Sequence, residues 1–172
     1  MMDSVFSHHG ELPRPKGHPM SNPNDDIVDT LNDLIETCKD GELGFTACAE
    51  RVTSSELRRV FTQRAAECRQ AADELRPFVI QYGGEPENDG STAGALHRGW
   101  VAVRGSLAGY TDKAMLEECE RGEDAALGRY RAAMKEEALP ETLRALIARQ
   151  QLGVQANHDQ IKRLRDSVRA EG

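Results

Sequence analysis

Two stretches of this chain repeat one another's helical pattern, and no other feature narrows the fold as far. At an offset of 81 residues, Ile35, Cys38, Glu42, Phe45, Ala49 and Val52 fall on Leu116, Cys119, Glu123, Ala126, Tyr130 and Ala133, and Gly41 falls on Gly122. Each copy reads apolar, cysteine, Gly-Glu, apolar, at the spacing of one helix face. The segments that follow match at an offset of 86, pairing Leu57 with Leu143, Val60 with Leu146, Phe61 with Ile147, Cys68 with Val154, Leu75 with Ile161 and Phe78 with Leu164. Such a pattern predicts two helical hairpins joined by a crossover, each burying its stripe against the other.

The rest of the chain agrees with an all-α reading. No stretch alternates apolar and polar residues over strand length with β-branched residues, and alanine, leucine, glutamate and arginine favour helix. Helices are expected over about Asp26 to Val52, Ser55 to Tyr82, Asp112 to Glu136 and Pro140 to Val168. Ser54 or Ser55 should cap the second, Gly83 and Gly84 should stop it, Pro77 suggests a bend within it, and Pro140 suits a first turn. A shorter crossover helix is expected from Thr92 to about Leu107, with Leu96, Trp100, Val103 and Leu107 on one face. There His97 and the Arg98 and Trp100 pair read as packing residues.

A length of 172 residues suits one domain, here 25–170. Residues 1–24 carry four prolines and no apolar period, so they read as a disordered arm. Met20, directly before SNPNDD, resembles a natural start followed by a helix cap, and His8, His9 and His18 lack any geometry for a metal site. A net charge of −7 offers no basic field for nucleic acid, and no apolar run approaches the roughly 20 residues that span a bilayer. The expectation is a cytoplasmic protein partnered by neither nucleic acid nor membrane. Cys38, Cys48, Cys68 and Cys119 are spaced singly along the helices and read as reduced core residues.

Glu42 and Glu123 are the residues to explain. Both fall on the seam spacing, where a carboxylate is costly unless paired, protonated or bound to a cation. A shift of one helix position would instead bring them out beside Gly41 and Gly122, whose own role would be close helix packing.

The motifs LNDLIETCKDGELGF, GALHRGW, LEECERGED and QANHDQIKRLRD, spread over nearly the whole chain beyond the arm, resemble a bacterial family of ferritin-like proteins classed as a domain of unknown function. The resemblance implies a ferritin-like antiparallel four-helix bundle with an additional short crossover helix. Di-iron sites in such bundles take one glutamate from each of two helices and a Glu-x-x-His pair from each of the other two. Glu42 and Glu123 match the first requirement. In QANH, Gln155 stands in the glutamate position and His158 is in place, whereas Arg69 and Ala72 stand at the matching positions of the second helix. A different local register offers Glu67 and Gln70 there. The resemblance therefore leaves Glu42, Glu123 and His158, with Glu67 as a fourth donor, to hold one Fe, Mn or Zn ion or to form a metal-free polar network.

Two functions stay open. One is a ferritin-like protein with a metal at an incomplete di-metal site, where an open coordination position would permit oxygen or peroxide chemistry. The other is a noncatalytic interaction or stress-associated structural protein that has lost the site and associates as a homodimer or with another protein. Neither assigns a reaction. No nucleotide loop and no nucleophile with an evident base is present.

Overall fold

Three of the helices begin where a short polar side chain satisfies one of the first free amide groups. In the structure of the protein, a computed structural model, residues 22–87 and 111–171 are described. Helix α1 spans Pro23–Arg51, with Asn22 accepting from the Asn24 amide at 3.1 Å and Pro23 in the first turn. Helix α2 spans Ser55–Gln81 and is capped by Ser54, which accepts from Leu57 at 3.3 Å. Helix α3 spans Asp112–Met134, with Thr111 accepting from Ala114 at 3.1 Å, and α4 spans Glu141–Glu171. Helix α1 starts three residues before the expected Asp26, since Asn22 and Pro23 supply cap and first turn. Pro140 precedes α4, and its carbonyl accepts from Arg144 at 3.0 Å.

Helix α2 continues without a break through Pro77 to Gln81, with Tyr82 as its C-cap. Gly83 takes φ +85°, which glycine alone adopts without strain, so that its amide reaches Ile80 (3.0 Å) and the Gly84 amide reaches Val79 (2.9 Å). A Cβ on Gly84 would come within 2.4 Å of Val28, so this turn lies directly on α1. The expected crossover helix from Thr92 to Leu107, with His97 and Trp100, lies outside the described residues, as does all but the end of the arm. The crossover's first residues are nonetheless tied to α1, because the Asn32 amide donates to the Glu85 carbonyl and its oxygen accepts from the Glu87 amide.

The chain is an all-α bundle in which α1 packs on α2, α3 packs on α4, and α1 and α3 join the two hairpins. The apolar stripe expected for α1 is buried throughout, from Ile27 and Leu31 through Phe45 to Val52. Leu57, Phe61, Cys68 and Leu75 are buried on α2, and Leu143, Ile147, Val154 and Ile161 on α4; Phe78, Leu146 and Leu164 are half-buried against them. On α3, Leu127 takes the fully buried place and Ala126 a partial one. Among the described residues the core forms two clusters, one around Leu31, Leu34, Leu75 and Tyr130, the other around Phe45, Phe61, Leu116 and Ile161. At one end, Asp112 accepts from the Thr53 amide and hydroxyl (both 3.0 Å) and from the Ser54 amide (3.3 Å), fixing the α1–α2 turn to the start of α3.

Candidate functional site

Between the two clusters, the bundle holds a cavity of about 380 Å³ whose lining runs from the exposed Gly122, Ala125 and Arg149 to the buried Cys38, Cys119 and Tyr130. Glycine contributes in two ways. A Cβ on Gly41 would meet the Cys68 sulfur at 2.7 Å, so α1 approaches α2 closely there, as the sequence suggested. At Gly122 a Cβ would meet nothing within 4 Å. That second glycine opens space instead of permitting contact.

The interior carboxylate is Glu123, 2 % exposed. It faces a cation supplied by the chain itself. Arg64, on the buried face of α2 one turn beyond Phe61, donates through Nε to Glu123 Oε1 at 2.7 Å and through a terminal nitrogen to Oε2 at 3.3 Å. Its guanidinium also lies 5.7 Å from the centre of the Phe45 ring and reaches Glu67 at 3.4 Å. Burial works against the charged guanidinium. Its interactions with Cys68 and the hydrogen-bonded Glu123 more than offset that cost and raise its pKa, so it is a permanent cation.

Across the cavity a neutral network does the same work. The Tyr130 hydroxyl donates to Gln150 Oε1 at 2.8 Å and lies 3.3 Å from the Cys38 sulfur, while Gln150 Nε2 donates to the Ala71 carbonyl at 3.2 Å. Burial raises the pKa values of Tyr130 and Cys38 and pushes Cys68 up to about 12, so these groups are protonated near neutrality. Asp40, at the cavity wall, is different. Its Oδ1 is buried without a hydrogen-bond partner, and burial, then repulsion from Glu36, pushes its pKa up to about 6 against the pull of Arg129.

The four donors expected of a metal site take four separate places. Glu123 is held by Arg64. Glu42 turns to the outer edge of α1, accepting from Arg69 at 2.8 Å and Lys39 at 3.4 Å. Glu67, two-fifths exposed, accepts from Gln63 (3.2 Å), Arg64 (3.4 Å) and Asn157 (2.9 Å), which bridges α2 to α4. The His158 ring lies 2.7 Å from Asp124 of α3 and 3.2 Å from Asp159. Glu67 and Glu123 thus meet only through Arg64. Among the described residues, no three His, Cys, Asp or Glu side chains gather where a metal ion could be held. The donor set does not fit a di-iron centre, which needs bridging carboxylates on a shared cation.

Sequence reasoning missed Arg64, Tyr130 as a polar residue, and Gln150. The signal was present: Arg64 lies three residues beyond Phe61 and four before Cys68, and Gln150 three beyond Ile147 and four before Val154, so both fall on the apolar spacing. No helix among the described residues is long and apolar enough to cross a membrane.

Solved structures share this architecture at low sequence identity. A Dps protein from Staphylococcus aureus superposes with a TM-score of 0.68 at 18 % identity, covering 82 % of this chain and 95 % of that one. A Vibrio cholerae O1 protein, described as a member of a broad superfamily of ferritin-like diiron-carboxylate proteins, gives 0.67 at 12 % identity, covering 83 % and 90 %. The bacterioferritin-related protein of Bacteroides fragilis, described as a dodecameric thioferritin, gives 0.69 at 16 % identity, covering 86 % and 89 %. A comparison with curated proteins finds no match. The model of the family described as Domain of unknown function (DUF2383) matches residues 26–136, most of the chain, and with the four-helix architecture this places the protein in that family, on a ferritin-like fold.

Proposed function

We propose that this chain is a noncatalytic ferritin-like helical module in which an internal arginine takes the place of a metal ion as counter-charge to the bundle's buried carboxylate. The observation that carries the reading is the two-point contact of Arg64 with Glu123 at 2.7 and 3.3 Å, with both residues removed from water. A buried glutamate needs a cation or a proton, and a fixed guanidinium supplies the cation in every redox state and at every metal concentration. What remains for function is the bundle as a scaffold. Its self-association is supported by the dodecameric state printed for the Bacteroides fragilis protein and by the exposed Leu152 and Ile80, 72 % and 64 % accessible.

The metal-binding reading, with Fe, Mn or Zn on Glu42, Glu67, Glu123 and His158, draws on the diiron-carboxylate description of the Vibrio cholerae protein. It would require Arg64 to leave Glu123. Elemental analysis separates the two readings, using the full-length untagged chain purified without chelator, incubated with Fe(II), Mn(II) or Zn(II) and desalted. The proposal expects the same metal content in the wild type and in Glu123→Gln, any residual metal being held elsewhere, such as by the histidines of the arm. Near-stoichiometric metal that disappears in Glu123→Gln would overturn it.

A further inference from the structure

Three of the four buried thiols border the cavity, and their surroundings differ. Cys38 is engaged with the Tyr130 hydroxyl at 3.3 Å, and Cys68 packs against Gly41. Cys119 lines the cavity and faces another thiol, since its sulfur lies 3.5 Å from that of Cys48. The two belong to α1 and α3, the helices through which the hairpins meet, and are 2 % and 3 % exposed. Two sulfurs at this distance need to approach by only about 1.5 Å to reach bonding separation. The exposed Gly122 and the buried Cys119 line the same cavity, which has room for molecules the size of water.

We propose that Cys48 and Cys119 form a redox-responsive dithiol, reached through the interior cavity, which small hydroperoxides convert to a disulfide joining the two hairpins. The Cys119 sulfur attacks hydrogen peroxide, forming an S–O bond as the O–O bond breaks, and the thiol proton leaves with the other oxygen as water. The Cys48 sulfur then attacks the sulfenic sulfur of Cys119. The S–S bond forms, the S–O bond breaks, and the Cys48 proton leaves with that oxygen as a second water. Two thiols lose two electrons and one peroxide gains them. Burial, with the neighbouring Cys48, raises the pKa of Cys119 well above that of a free thiol, which keeps the thiolate scarce. The reaction is therefore a slow, stoichiometric modification and not rapid peroxide turnover.

The test uses the full chain, reduced, desalted and exposed to hydrogen peroxide in native buffer. Remaining thiols are then alkylated under denaturing conditions, with intact mass and a nonreducing peptide map as readouts. The expected result is that two of four thiols escape alkylation, reductant restores them, and the linked peptides contain Cys48 and Cys119. The oxidised chain should also melt about 5–10 °C higher, because the staple constrains the unfolded chain. Cys48→Ala and Cys119→Ala should each abolish the link, and Cys68→Ala should keep it. Circular dichroism shows whether each variant is folded, and the wild-type peptide map decides the matter even if one is not. Four alkylated thiols, a link between any other pair, or sulfinic acid at Cys119 with Cys48 still alkylatable would overturn the proposal.

Discussion

Arg64 on α2 and Gln150 on α4 stand at matching places in the two hairpins, 86 residues apart, and each is 8 % exposed, yet the interior uses them differently. Arg64 meets a carboxylate, Glu123, from the facing hairpin. Gln150 meets a phenol, Tyr130, and a backbone carbonyl. The glutamate that corresponds to Glu123, Glu42, has left the interior for Arg69 and Lys39 at the edge of α1. The low-dielectric centre thus takes one ion pair and one neutral network, and the second carboxylate stays part-buried at the edge of α1, paired with Arg69 and Lys39. A second interior charge would have needed a second buried cation, and the position that could have carried it holds a glutamine.

The ion-paired half should respond most when the comparison is broken. Arg64→Met leaves Glu123 buried without a partner and should cost about 3–5 kcal/mol. In thermal unfolding this is a fall of roughly 8–15 °C. Adding Glu123→Leu to that variant removes the stranded charge and should recover most of the loss, since apolar replacement of both members of a buried pair is often neutral. The neutral half should respond less. Tyr130→Phe strands the Gln150 oxygen and weakens the Cys38 contact, for a loss of about 1–2 kcal/mol in urea unfolding.

Asp40, on the same cavity wall, should act through pH. Its folded pKa, about 6, lies above the ordinary 3.8, so protonation favours the folded state. Its contribution is full below the unfolded value and is lost as pH rises through about 6. Asp40→Asn should therefore stabilise the protein at pH 7 by about 1 kcal/mol, after allowing for solvent screening of a half-exposed group, and the gain should vanish by about pH 4. Glu42→Gln should have the smallest effect, a loss of about 0.5 kcal/mol in urea unfolding, because Glu42 is part-buried but its partner Arg69 is exposed.

Much of this fold could be read from residue order. Caps and stops are local: Ser54, Thr111 and the Gly83–Gly84 pair set helix ends through short-range hydrogen bonds, and the apolar periods chose the buried faces. The site was less legible because it depends on rotation of a few tens of degrees about each helix axis. Glu42 and Glu123 share a sequence position yet differ in facing, and a seam drawn from periodicity alone does not separate them. Arg64 was overlooked for a chemical reason: an arginine on an apolar stripe is ordinarily taken to reach outward along its aliphatic stem. Its opposite, a carboxylate on the facing helix, was in view, but pairing the two required knowing which helices face each other. The proximity of Cys48 to Cys119 likewise appears only once α1 and α3 are packed.

The central claim is that Arg64, and not a metal, holds Glu123, and a double-mutant cycle tests it most directly. Stabilities of the wild type, Arg64→Met, Glu123→Gln and the double variant would be measured by urea unfolding, in chelator and again with added Mn(II) or Zn(II). The account predicts a coupling of about 2–3 kcal/mol between the two side chains, unchanged by chelator or metal. A coupling near zero, with a wild type that loses stability in chelator and regains it with metal, would contradict it.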